Sequence, residues 1–107
     1  MTTFDKREKA FEAEFVHDEE LKFKAGARRN KMLGLWAAEK LGLSGDAAAD
    51  YSKAVVTAEI DAASDEAVVR KIMSDLAAKG ISLTETDLRA RMNELLAAAV
   101  AQIKAGV

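Results

Sequence analysis

Apolar positions recur at helical spacing from Leu21 onward, in four runs divided by short breaks, and no stretch alternates as a strand would. The first run passes through Leu21, Ala25, Met32, Leu35 and Trp36 to Leu41, followed by Gly42 and Leu43. A glycine beyond the last turn, with an apolar residue after it, predicts a Schellman closure. Ser44, Gly45 and Asp46 open the second run, along which Ala47, Tyr51, Ala54, Val55, Ala58 and Ala62 recur. Ser64 is placed to cap the third, with Asp65 and Glu66 favourable at its positive end. Val68, Val69, Ile72 and Leu76 make its apolar face, and Gly80 with Ile81 repeats the earlier stop. Thr84 and Asp87 resemble a capping box with aspartate in the acidic place. Leu88, Met92, Leu95, Leu96, Ala99 and Ile103 then form the cleanest stripe of the chain. Short connections imply antiparallel neighbours, so the expected fold is all-α, a small four-helix bundle. Gly26 and Gly34 lie inside the first run at about 1 kcal/mol each relative to alanine. Gly26 is read as a place where two helices touch, in preference to a hinge.

The residues ahead of the first run follow another logic. Phe4, Phe11, Phe15 and Phe23 are all the phenylalanines of the protein, yet twelve of the twenty positions from Asp5 to Lys24 are charged. On a helix, Phe4, Phe11 and Phe15 fall at i, i+7 and i+11, a narrow aromatic stripe with Glu8 interrupting it. Such a helix is marginal alone in water, so a mobile or partly helical N-terminal segment is expected over residues 1–18, ahead of a helical bundle domain over 19–107. Two fates are open to the stripe. It can lie in a groove on a partner, where three buried phenylalanines contribute on the order of 6 kcal/mol gross. Ordering the segment would take back roughly 2 to 5 kcal/mol of this. Or it can fold back and complete the protein's own bundle. The period does not choose between them.

Composition narrows the class. A chain of 107 residues has material for one core. Its 50% hydrophobic and 32% charged residues, without proline, suit helices. A formal charge of −2 gives no general attraction to nucleic acid or to an anionic membrane. The absence of cysteine removes any need for an oxidising compartment. No run is long and apolar enough for direct membrane insertion, which together reads as cytoplasmic.

Catalytic signals are weak. His17 is the only histidine, and although Glu14 to His17 has the Glu-x-x-His spacing of di-iron bundles, such sites need that motif twice. No metal and no cofactor are therefore expected. His17 also has an ordinary pKa near 6.5, where it could tune a contact by pH. No glycine-rich phosphate loop is present. Arg28, Arg29 and Lys31 near Trp36 form a small basic cluster, a weak nucleotide contact at most against the plainer reading of a solvated face. The chain reads as no enzyme.

The stretches TFDKREKAFEAEF and HDEELKFKAGARRNKMLGLWAAEKLGL, with LRARMNELLAAA further on, carry a resemblance. The chain resembles the zeta subunit family, inhibitors of the F-type ATP synthase of alpha-class proteobacteria. That resemblance implies a four-helix body with an inhibitory N-terminal region that enters a catalytic interface between the alpha and beta subunits of the soluble head. There it blocks the rotation-linked changes of ATP hydrolysis, with the central stalk as a further contact. By position, Phe4, Phe11 and Phe15 are the implied apolar contacts, and Asp5, Arg7, Glu8 and Glu12 the polar ones. The family pattern has lysine where this chain has Glu14 and alanine where it has Val16. The implied location is the cytoplasmic face of the inner membrane, reached through the synthase. Two other classes stand beside this one: a helical adaptor docking through its bundle, and a weak nucleotide-binding sensor.

Overall fold

The computed structural model describes residues 19–62 and 64–106. They form four helices and no strand: α1 Glu19–Lys40, α2 Gly45–Ala62, α3 Asp65–Ala78 and α4 Glu85–Lys104. The breaks fall where the sequence signals them. After α1, Leu43 N–H donates to Ala38 C=O and Gly42 N–H to Glu39 C=O, at 2.9 and 3.1 Å. After α3, Ile81 donates to Leu76 and Gly80 to Ala77, both at 2.9 Å. Gly42 and Gly80 have φ of 79° and 73°, the left-handed geometry that both Schellman closures require. Ser64 Oγ accepts from Glu66 N–H at 3.1 Å, and Thr84 Oγ1 from Asp87 N–H at 3.0 Å, capping α3 and α4.

Helix α1 is the centre of the bundle, packing along α2 and α4, while α3 lies against α2 and touches α1 and α4 more sparingly. Leu33 and Ala37 of α1 join Val55, Val68, Val69, Ile72, Leu76, Leu88 and Met92 in the buried core. Trp36, Leu41, Tyr51, Met73, Ile81, Leu83 and Leu95 close its margin. The Tyr51 hydroxyl donates to Asp75 Oδ2 at 2.8 Å. Burial, and then this carboxylate, push its pKa above the ordinary value.

Two details correct the sequence reading. The predicted face of α2 holds only in part: Val55 is buried, whereas Ala47, Ala54 and Ala62 are exposed, and Ser52 is buried in their place. The tight helix contact is at Gly34 instead of Gly26. A Cβ on Gly34 would lie 2.6 Å from Ser52 Cα, while one on Gly26 would meet nothing within 4 Å. Ser52 suits the crossing because it is small and its hydroxyl donates to Lys31 C=O at 2.7 Å. The backbone of α1 thus satisfies the one polar atom that close approach buries.

Candidate functional site

Midway along its length, α1 meets the end of α2 and the start of α3 through a polar junction. Arg29, only 5% exposed, donates to Glu59 Oε2 at 2.8 Å and to Asp65 Oδ1 and Oδ2 at 2.8 and 3.3 Å. Its Nε donates to Asn30 Oδ1 at 3.1 Å, and Asn30 Nδ2 donates to Glu59. The bidentate fork on Asp65 is the strong geometry for a guanidinium and a carboxylate. Burial works against the Arg29 charge, but Asp65 and Glu59 outweigh it and hold the guanidinium above its ordinary pKa. The hydrogen bond from Arg29 lowers the pKa of Asp65, whereas burial raises that of Glu59. This junction pairs its charges internally and fixes three helices.

The remaining basic residues of the cluster diverge. Arg28 Nη1 donates to Gln102 Oε1 of α4 at 3.4 Å. Lys31 is exposed beside α2. Trp36 is half-buried, its ring centroid 5.0 Å from Lys40 Nζ and 5.5 Å from the Arg91 guanidinium carbon. Arg28, Arg29, Lys31 and Trp36 thus have different neighbours. Phe4, Asp5, Arg7, Glu8, Phe11, Glu12 and Phe15, with His17, lie outside the described residues. Among the described residues no group of three His, Cys, Asp or Glu side chains could hold a metal ion.

The sequence reading missed an apolar groove between α1 and α2. Phe23, Leu35 and Ile60 are the exposed large apolar residues among those described, and all three line it. Its upper end is a hollow of about 290 Å³ bordered by Phe23, Gly26, Ala27, Asn30 and Ile60. Val56 links this hollow to a second one, beside Leu35 and Lys53. The available signal was the i, i+4 pair Val56 and Ile60, offset from the Val55 stripe in an otherwise alanine-rich helix.

The described helical body thus combines an internally satisfied polar junction with an open apolar groove between α1 and α2. Its family is definite. The family model of ATPase inhibitor subunit zeta matches residues 1–102, and the chain belongs to that family. A solved structure, described as a solution NMR structure, is similar to it at 45% identity with a TM-score of 0.70, over 81% of this chain and 99% of the other. No curated protein matches the chain. The family makes the protein an ATPase inhibitor associated with the ATP synthase, and an inhibitor subunit is not an enzyme in itself. No described helix is long and apolar enough to cross a membrane.

Proposed function

We propose that the chain inhibits ATP hydrolysis by the F-type ATP synthase by inserting residues 1–18 into a catalytic alpha/beta interface of the soluble head. Rotation is then blocked sterically, without covalent chemistry. Phe4, Phe11 and Phe15 fill apolar space in the interface, and Asp5, Arg7, Glu8 and Glu12 pair at its rim. This is the helix-in-groove mode of recognition. The body, residues 19–107, carries the segment to the head at the cytoplasmic face of the inner membrane.

One observation carries the reading: the family match begins at residue 1 and so includes the charged, phenylalanine-bearing segment along with the body. The core from Leu33 to Met92, closed among α1 to α4, supports the division of labour. The test is ATP hydrolysis by the isolated head, with the full chain and with its Phe11→Ala/Phe15→Ala variant. Losing two large apolar contacts of roughly 2 kcal/mol each weakens inhibition by about two to three orders of magnitude in concentration. Equal potency of the two proteins would refute the assignment.

A further inference from the structure

We propose that the unbound protein stows its own N-terminal segment, with Phe11 and Phe15 lodged in the upper end of the α1/α2 groove. The proposal rests on the reading of residues 1–18 as the inhibitory element, and it adds the intramolecular site that competes for them.

Position is the first argument. Residues 1–18 join α1 at Glu19, one turn before Phe23 at the mouth of the hollow. An occupant tethered there acts at an effective concentration on the order of millimolar, which a free ligand seldom reaches. Val16, His17 and Asp18 separate Phe15 from α1, a length within the usual range for a turn between antiparallel helices. Pairing about that turn brings Phe15 level with the first turns of α1 and Phe11 one turn deeper.

Shape and charge agree with this occupant. Phe11 and Phe15 are spaced i, i+4 and so share one side of a helix. The hollow offers them Phe23 and Ile60, 65% and 57% exposed, and the half-buried Val56. Gly26 lies between, where an added Cβ meets nothing within 4 Å. An aromatic ring over that bare turn would use space that neither a bend nor a neighbouring helix in the bundle takes up. Lys22 and Glu59 border the groove's upper end and Lys31 and Lys53 its lower one, a lining of net positive charge. Residues 10–18 carry Glu12, Glu14 and Asp18 and no lysine or arginine, the complementary sign.

The consequence is regulatory. The same phenylalanines cannot occupy the groove and the head together, so stowage slows the onset of inhibition, and blocking the groove hastens it. Methyl resonances of the full chain test this, because ring currents act only at short range. Phe11→Ala/Phe15→Ala is expected to move the Val56 and Ile60 methyl signals and leave those of Ile72 and Leu88 in place. Ile60→Asp, at an exposed position, is expected to make inhibition of the isolated head set in several-fold faster. Unmoved Val56 and Ile60 signals overturn stowage, whatever the hydrolysis assay gives. Unchanged onset with Ile60→Asp overturns its regulatory role. If unlabelled wild-type chain restores the signals of the isotope-labelled double variant, the occupant is a second copy and the intrachain proposal falls. Full inhibition by the double variant would instead sink the inhibitory assignment, a result separable from the methyl shifts.

Discussion

Gly34 on α1 and Ser52 on α2 meet backbone to backbone, at a separation that leaves a Cβ on the glycine only 2.6 Å from Ser52 Cα. A methyl group there must push the helices apart or displace the buried serine. Overpacking of this kind costs about 1–3 kcal/mol, against which alanine returns roughly 1 kcal/mol of helix propensity. Gly34→Ala should therefore lower stability by up to about 2 kcal/mol, seen as a fall of several degrees in the thermal midpoint. Gly26→Ala has no such neighbour. It should gain about 1 kcal/mol from propensity alone. If both alanines shift the midpoint in one direction, the crossing is misplaced.

Arg29 is held by two carboxylates that come from different helices, Glu59 ending α2 and Asp65 beginning α3. Removing the guanidinium leaves the two carboxylates facing each other across a half-covered junction. Arg29→Ala should cost about 2–4 kcal/mol, below the full value for a buried pair because Asp65 is half exposed. Arg29→Lys should recover only part of this, since an ammonium cannot fork to Asp65 while reaching Glu59. Urea unfolding of the three proteins decides it. A lysine variant as stable as the original would mean that charge alone, without the fork, holds the junction.

The helix boundaries were legible because they rest on local chemistry. Schellman glycines and hydroxyl caps act within a few residues, and Gly42, Ser64, Gly80 and Thr84 all perform as their neighbours in sequence suggest. What periodicity could not reveal is pairing across the bundle. Ser52 reads as a polar surface residue until Gly34 is placed against it. Arg29 reads as part of a basic cluster until Glu59 and Asp65, 30 and 36 residues away, are brought to it. Arg91 meets Trp36 for the same reason, from a helix more than fifty residues on. The groove escaped notice because an exposed Ile60 on an alanine-rich helix carries no local sign of what lies across from it.

The two hydroxyl caps make a smaller and cleaner prediction. Each accepts one backbone N–H that the first turn of its helix leaves over, Glu66 N–H in α3 and Asp87 N–H in α4. Ser64→Ala and Thr84→Ala should each cost about 1 kcal/mol. The sites lie on different helices and share no cap contact, so the double variant should lose the sum within roughly 0.5 kcal/mol. A chemical-denaturation series on the four proteins checks this, and a strongly non-additive result would show the two caps to be coupled.

Acid titration separates the carboxylates of the junction, because their shifts have opposite signs. Asp65 titrates below its ordinary value of 3.8 in the folded protein, the Arg29 hydrogen bond being the main cause. Its stabilisation is therefore complete above that value and disappears as pH falls through the lower, folded pKa. Glu59 titrates above its ordinary 4.5, chiefly through burial, so the folded protein holds that proton more tightly. Its contribution is greatest in acid and is lost as pH rises through the raised pKa. Between neutral pH and about 4, protonating Glu59 thus offsets part of the general acid destabilisation; below about 4, loss of the Asp65 carboxylate adds to it. Asp65→Asn should be less stable than the original at pH 6 and approach it near pH 2. Glu59→Gln should differ in the other sense, its stability relative to the original being highest at neutral pH and falling toward acid. Stability curves for the three proteins from pH 2 to 7 test the assignment, which fails if both variants track the original in parallel.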